Sequence, residues 1–489
     1  MNFFEKFLLT FSKKSVMINI TKILFGGVQM EKRENFSSRL SFIIVSVSCA
    51  VGLGNIWLMP YRAGTYGGAI YIFLVIAFIL AFALPVLLAE YTVGRASGKS
   101  VAGHFQALQP KGTKWHWASY LMIAGNYILM MFYAVICGFA LWYFIQAITG
   151  NLVMSNNAAD SQAAFAAITR NPAITYFTTL AIIVGTIGAC LLGLKNGVEK
   201  VSKYMMLIFF ILVFILIGRG LTLPGAMEGL RFLFIPSVEN FVEHGPLRLL
   251  HMSLGQAVFS VSVGMGSMAV FGSYVSKDKR LFKDGFSVAI IDIFVALVCL
   301  IMIFPAAMSF GIAPTQGEGL LFVVMPNLFY HMPASNLWAI LFYTGLLFVS
   351  FSTAVAIVEN IIAIGMDKFG LSRKKSVLLN GVILSILIIP GALGRNIWSS
   401  ITVPGFPHLG SFFTFLVMEL IMPIGALIYV LFITQKRGFG FKNFLKEVNT
   451  GSEGWEVPAA KSVSFYLTYV VPIVMIFILV FGLLQRFVL

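Results

Sequence analysis

Eleven apolar runs divide the chain, near 40–61, 69–93, 116–148, 174–193, 201–222, 248–275, 286–312, 337–366, 376–393, 408–434 and 464–486. Their lengths suit helices crossing about 30 Å of hydrocarbon, which takes roughly 20 residues, and polar residues collect between them. The pattern predicts an all-α polytopic membrane protein of eleven transmembrane helices. Two runs are interrupted. The first reads CAVGLGNIWLMPY from Cys49 to Tyr61, although interior glycine costs about 1 kcal/mol and proline about 3 relative to alanine. The sixth carries SVSVGMG from Ser260 to Gly266, which echoes SCAVGLG from Ser48 to Gly54 in the pattern Ser-x-small-Val-Gly-x-Gly.

Five runs separate one echo from the next, and an odd unit repeated in one membrane must be inverted. The expected architecture is therefore a five-plus-five inverted repeat with broken helices 1 and 6. Small residues at helix interfaces also let helices pack closely, but two matched copies point to a substrate site between halves. Backbone freed at mid-membrane is tolerated only where it lines a cavity. There, half-helix N-termini attract anionic groups and freed carbonyls hold a cation. The expected division is an N-terminal extension at 1–29, a first repeat at 30–222, an extracellular loop at 223–247, a second repeat at 248–434, a cytoplasmic loop at 435–463 and a last span with its tail at 464–489. Met30, opening MEKRENFSSRL, is the simpler start, with 1–29 a mis-called extension, and a surface-lying amphipathic helix over 1–29 is the alternative.

Composition agrees with the runs: 59% of 489 residues are hydrophobic and 11% charged, against roughly 25% charged in a soluble domain. The net charge of +15 does not imply a nucleic-acid partner. With the N-terminus inside, 27 of the 34 Lys and Arg fall in inner segments, as the bias toward positive cytoplasmic loops requires. The N-terminus is expected in the cytoplasm and the C-terminus outside, in a plasma or bacterial inner membrane. Cys49, Cys137, Cys190 and Cys299 all lie in runs without CxxC spacing, so neither a disulfide framework nor a zinc site is implied.

No HExxH, no GxxxxGK[ST] loop and no mid-span histidine beside a nucleophile occurs, so the chain is not read as an enzyme or an ATP-driven pump. A dinucleotide fingerprint fails because Trp57 and Ala269 stand at the third glycine position. No filter-like repeat supports a channel. Four acids, Glu90, Asp292, Glu359 and Glu419, fall inside runs, where carboxylates mark ion paths or paired networks.

The chain resembles the neurotransmitter:sodium symporters, in particular bacterial amino acid transporters similar to the leucine transporter. The resemblance runs from about Met30 to the end and is carried by AVGLGNIWLMPY, LLAEYTVGR, FYAVICG, LKNGVEKVSK, LPGAMEGLRFLFIP, GQAVFSVSVGMGS, SFSTAVAIVE and LSRKK. It implies two sodium sites. The first would use Ala50, Asn55, Ser260 and Asp292, together with the substrate carboxylate. The second would use Ser48, Val51, Val349, Ser352 and Thr353. A substrate carboxylate would meet the Leu53 and Gly54 amides and the Tyr133 hydroxyl, and an amine would meet carbonyls around Ala50, Phe259, Ser260 and Ser262. The side chain would lie among Leu129, Phe259, Met265, Thr353 and Ile357, an apolar wall that suits a large neutral amino acid. Alternative cargoes on the same fold are a non-amino-acid amine or an osmolyte, and a substrate-sensing receptor or channel is the rival class. Chloride is not expected to be required, because Asp292 supplies a fixed negative charge beside the first site. The resemblance leaves the oligomeric state open.

The same comparison implies a cytoplasmic gate of Arg33 and Asp367 with Tyr274 nearby. The outer gate departs from the family pattern. Leu58 stands where an arginine is usual, and no Asp or Glu occurs from Gly391 to Met418 to partner one.

Overall fold

The computed structural model describes residues 35–237, 245–312 and 317–488. The leader at 1–29, the Met30 start and Arg33 lie outside them. Among the described residues the protein is helical, with only isolated bridges, Lys279 to Glu453 and Val403 to Phe406, outside helices and turns. Without water to hydrogen-bond the backbone, a segment crossing lipid must satisfy its own N–H and C=O groups, and a helix does so within one segment.

Nine helices among the described residues are long and apolar enough to cross a membrane. Numbered after the runs, they are span 2 (Ala69–Ser97), span 3 (Trp115–Ile148), span 4 (Pro172–Leu191), span 5 (Leu194–Leu221), span 7 (Leu281–Ser309), span 8 (Ser335–Phe369), span 9 (Arg373–Leu393), span 10 (Leu409–Thr434) and span 11 (Lys461–Phe487). Span 1 makes a tenth when Arg39–Ala50 and Gly54–Thr65, bent by 51° at the break, are counted together. Span 6 consists of Pro246–Ser260 and Ser267–Gly272, and neither piece is long enough to cross by itself.

The two breaks fall where the sequence echo lies. In span 1, regular α-helix stops at Ala50, and a π-helical turn over Gly54–Leu58 leads into a helix with a proline in its first turn. In span 6, Ser262, Gly264 and Gly266 adopt φ of 55°, 98° and 74°, left-handed geometry that ends a right-handed helix. Gly264 is required for a second reason. A Cβ there would lie 2.1 Å from the Met422 carbonyl oxygen, so span 6 crosses span 10 backbone against backbone. The Gly264 N–H, freed by the break, donates to Glu90 Oε1 at 2.5 Å. Asn126 of span 3 donates to the Met265 carbonyl at 3.0 Å.

Span 8 packs against spans 3 and 5 and against the first piece of span 1, and spans 4 and 9 lie against span 3. A short apolar helix, Leu320–Tyr330, plugs one end of this group. Tyr143 and Tyr343 donate to its Phe322 and Leu321 carbonyls at 2.9 and 2.8 Å.

Candidate functional site

The breaks of spans 1 and 6 enclose a cavity of about 30 Å³. Ala50, Leu53 and Gly54 contribute from span 1, Leu129 and Tyr133 from span 3, Phe259, Ser262 and Met265 from span 6, and Thr353 and Ile357 from span 8. All of these were expected substrate contacts. Ser260 stands behind this wall, its hydroxyl donating to Asp292 Oδ2 at 2.6 Å. Cys49, Gly52, Ser267 and Met422 also line the cavity. Nothing local in the sequence marks Met422, which arrives only because Gly264 lets span 10 approach.

The wall is apolar apart from a few groups. Tyr133 Oη is buried with no hydrogen bond of normal geometry, although the Thr353 side chain and the Leu53 backbone lie close to it, and leaving such a group unsatisfied costs about 1–3 kcal/mol. A Cβ on Gly52 would come within 3.0 Å of that oxygen, so the glycine keeps the space beside the hydroxyl free. A Cβ on Gly54 would lie 2.8 Å from the Phe259 ring. Ser262 Oγ donates to the Cys49 carbonyl at 2.9 Å and ties the two breaks together.

Three of the four residues expected at the first sodium site share one network. Asn55 Nδ2 donates to Asp292 Oδ1 at 2.8 Å and to the Asp292 carbonyl at 3.3 Å, with Ser260 Oγ 3.5 Å away. Asn55 Oδ1 accepts from the Gly52 N–H at 3.3 Å. All are fully or nearly fully buried. Among the described residues no group of three or more His, Cys, Asp or Glu is placed to hold a metal ion. The donors here are instead a carboxylate, an amide oxygen and a hydroxyl, which suit a hard cation.

The second expected set also converges. Thr353 Oγ1 lies 2.8 Å from the Ser48 carbonyl oxygen, 3.0 Å from that of Val51 and 3.0 Å from that of Val349. One hydroxyl carries one proton, so it can donate fully to only one of three acceptors. The other two oxygens face it lone pair to lone pair, an arrangement that a small cation would relieve. Ser352 Oγ donates to the Val349 carbonyl at 2.9 Å, and Ser48 Oγ donates to the Val45 carbonyl at 2.9 Å.

The remaining acids divide by partner. Glu359, fully buried, accepts from both terminal nitrogens of Arg373 at 2.8 and 2.6 Å and from Tyr274 Oη at 3.1 Å. Tyr274 also meets Phe36 edge to face, with ring centroids 5.7 Å apart. Asp367 accepts from the Ser100 N–H at 2.5 Å. Arg33, its expected gate partner, lies outside the described residues. Glu90 serves the break of span 6, as described above. Glu419 borders a second, larger cavity.

That cavity, of about 450 Å³, has Arg395 and Arg486 in its wall. Trp57 and Tyr61 of span 1 and Phe132, Val135 and Ile136 of span 3 form part of its wall. An ion pair that the sequence did not reveal stands at its edge: the Arg395 guanidinium pairs with the Glu318 carboxylate. The acid was sought between Gly391 and Met418, whereas it comes from the segment before the Leu320–Tyr330 helix, where it is the only Asp or Glu between Asp292 and Glu359. His408 Nε2 lies 4.0 Å from the same carboxylate oxygen. His408 Nδ1 accepts from the Ser411 N–H at 3.1 Å and caps span 10. Burial, followed by the Arg395 charge, pushes this imidazole down to about 4, consistent with an unprotonated Nδ1.

Comparison with known proteins gives concordant findings. The family model described as the Sodium:neurotransmitter symporter family matches residues 33–176 and 161–487. An uncharacterized sodium-dependent transporter of Bacillus subtilis, YhdH, is 32% identical over 464 residues, covering 93% of this chain and 99% of that protein. An uncharacterized sodium-dependent transporter of Haemophilus influenzae is 28% identical over 470 residues, with the same coverage of 93% and 99%. Among solved structures, the crystal structure of MhsT in complex with L-phenylalanine superposes with a TM-score of 0.81 at 32% identity, covering 92% of this chain and 99% of that one.

Proposed function

Since the chain belongs to the sodium:neurotransmitter symporter family, we propose that this multi-pass membrane protein imports a large neutral amino acid, aliphatic or aromatic, together with sodium by alternating access. The observation that carries the reading is Tyr133 Oη, buried with no hydrogen bond of normal geometry beside the helix break at Gly52–Gly54. An α-carboxylate would accept from this hydroxyl and from the amides of Leu53 and Gly54. The amine would meet the carbonyls around Ala50, Phe259 and Ser262. Leu129, Phe259, Met265, Ile357 and Met422 leave an apolar space for the side chain, and L-phenylalanine in the related MhsT structure is a ligand of this class.

Sodium is cargo in this scheme. One ion would be held by Asn55, Ser260, Asp292 and the Ala50 carbonyl, with the substrate carboxylate completing the shell. The other would be held by the carbonyls of Ser48, Val51 and Val349 with the hydroxyls of Ser352 and Thr353. Their oxygen-only composition supports both assignments. Closure toward the cytoplasm would draw on Asp367, Arg33 and Tyr274. The distribution of Lys and Arg favours a cytoplasmic N-terminus, so the larger cavity faces outward. The echo between Ser48–Gly54 and Ser260–Gly266 supports the division into repeats at 30–222 and 248–434, joined by the loop at 223–247.

The test is uptake by proteoliposomes under an imposed sodium gradient, with each of the twenty amino acids as competitor. Concentrative uptake of a labelled large neutral amino acid that collapses without the gradient supports the proposal. Accumulation only of an amine or osmolyte moves the substrate class, and binding without accumulation indicates a sensor.

A further inference from the structure

We propose that Met422 of span 10 sets the size of the side chain that the substrate cavity accepts, its flexible thioether serving as a movable end wall. The inference rests on the amino acid reading and assigns the width of the substrate range to one residue. A cavity of about 30 Å³ has room for about two water molecules. A large neutral side chain therefore enters only if part of the wall yields. Leu129, Tyr133, Phe259 and Ile357 are branched or aromatic, with fewer rotatable bonds. Methionine is unbranched, has three rotatable bonds and repacks readily, and the wall holds two, Met265 and Met422.

The two methionines are mounted differently. Met265 is confined: a Cβ on Gly125 would lie 3.3 Å from its Sδ and 2.7 Å from Ile421 Cγ2, so its sulfur already packs against span 3. Its carbonyl is held by Asn126 Nδ2. Met422 is fixed through its backbone. A Cβ on Gly264 would lie 2.1 Å from the Met422 carbonyl oxygen, and one on Gly425 would lie 1.7 Å from the Gly264 carbonyl oxygen, so spans 6 and 10 interlock at these glycines. Neither span can slide to enlarge the cavity, and the adjustment falls to the Met422 side chain. Its register comes from a π-helical turn over Leu416–Ile421, closed by the Met422 N–H on the Val417 carbonyl and followed by Pro423. Such single-turn insertions occur mostly at functional sites. Here the turn brings Met422, 2% exposed, onto the face that also carries Gly425.

Size selection can be read without transport. The full chain is purified in detergent with saturating sodium, and apparent affinities are taken from thermal protection by L-alanine, L-valine, L-leucine, L-phenylalanine and L-tryptophan. The amines that carry the same side chains without the carboxylate form a second series. Met422→Ala should shift the affinity ratio of tryptophan to leucine about tenfold toward tryptophan, the lower end of what one methylene contributes in a hydrophobic pocket. Met422→Phe should shift the ratio of phenylalanine to valine about tenfold the other way. Met422→Leu, close in volume but less flexible, should bind leucine like the parent and lose tryptophan about tenfold. A residue that only packs spans 6 and 10 together would instead lower the melting temperature and weaken every ligand by one common factor. That outcome, or unchanged ratios in Met422→Ala and Met422→Leu, would overturn the proposal, and these two variants decide it if Met422→Phe does not fold. Failure of the amino acid reading looks different. The amines would then protect the parent where the amino acids do not, and a size ratio that still follows the Met422 substitutions would leave the end wall standing. Protection of the parent by neither series would overturn both.

Discussion

Asn55 donates its side-chain N–H to Asp292 Oδ1 at 2.8 Å, joining the break of span 1 to the middle of span 7 across 237 residues of sequence. This contact puts a fixed carboxylate beside the proposed first sodium site. A unit negative charge about 4 Å from a cation contributes on the order of 4 kcal/mol at an effective dielectric near 20, less what desolvation of the acid removes. That is enough to make a mobile anion unnecessary. Replacing chloride by gluconate is expected to leave uptake unchanged, and Asp292→Asn to weaken sodium dependence or create a chloride requirement. Strong chloride dependence of the unmodified protein would end this account.

The second sodium site makes a separable prediction. Thr353→Val keeps the shape of the side chain but removes the oxygen that faces the Ser48, Val51 and Val349 carbonyls. Three carbonyls then point at a methyl group, and a cation loses one ligand of five. Sodium affinity, measured as sodium-dependent thermal protection without amino acid, should fall about tenfold, as loss of a charge-assisted contact of about 1.5 kcal/mol would give. A half-saturating sodium concentration equal to the parent's would remove Thr353 from the site.

Gly264 carries a structural prediction. Its φ of 98° is left-handed, and an added Cβ would lie 2.1 Å from the Met422 carbonyl oxygen. Strain in such a conformation costs about 1–3 kcal/mol, and the overlap can be relieved only by separating spans 6 and 10. Gly264→Ala is therefore expected to lower the melting temperature in detergent and to abolish substrate binding. A variant that melts with the parent would show that the crossing is looser than the structure has it.

Much of this architecture is legible in the chain because lipid forces it. The run at 116–148 becomes the helix Trp115–Ile148, and that at 408–434 becomes Leu409–Thr434, since an apolar segment of that length has no other way to satisfy its backbone. The two breaks are legible because glycine and proline are costly in an uninterrupted helix. The count of eleven is less firmly met, because the pieces of span 6 are each too short to qualify. What escaped the sequence is contact between distant segments. Met422 lines the cavity only because span 10 crosses at Gly264. Glu318 partners Arg395 from a loop far from the one searched. The helix Phe441–Val448, with Phe444 and Val448 buried, hides within a segment read only as a cytoplasmic loop.

Tyr133 allows binding to be separated from folding. Its hydroxyl is buried and makes no hydrogen bond of normal geometry within the protein, with only the Leu53 backbone and the Thr353 side chain close to it, so Tyr133→Phe costs the substrate-free fold little. The ring keeps its packing, and the melting temperature of the substrate-free protein should match or slightly exceed the parent's. With substrate present, a carboxylate oxygen would lose a charge-assisted bond contributing about 1.5–3 kcal/mol. Apparent affinity should fall by roughly tenfold to a hundredfold, and the thermal protection given by substrate should shrink with it. A variant with parental affinity would remove the carboxylate contact. Equal losses of affinity and of substrate-free stability would mean that the hydroxyl serves the fold.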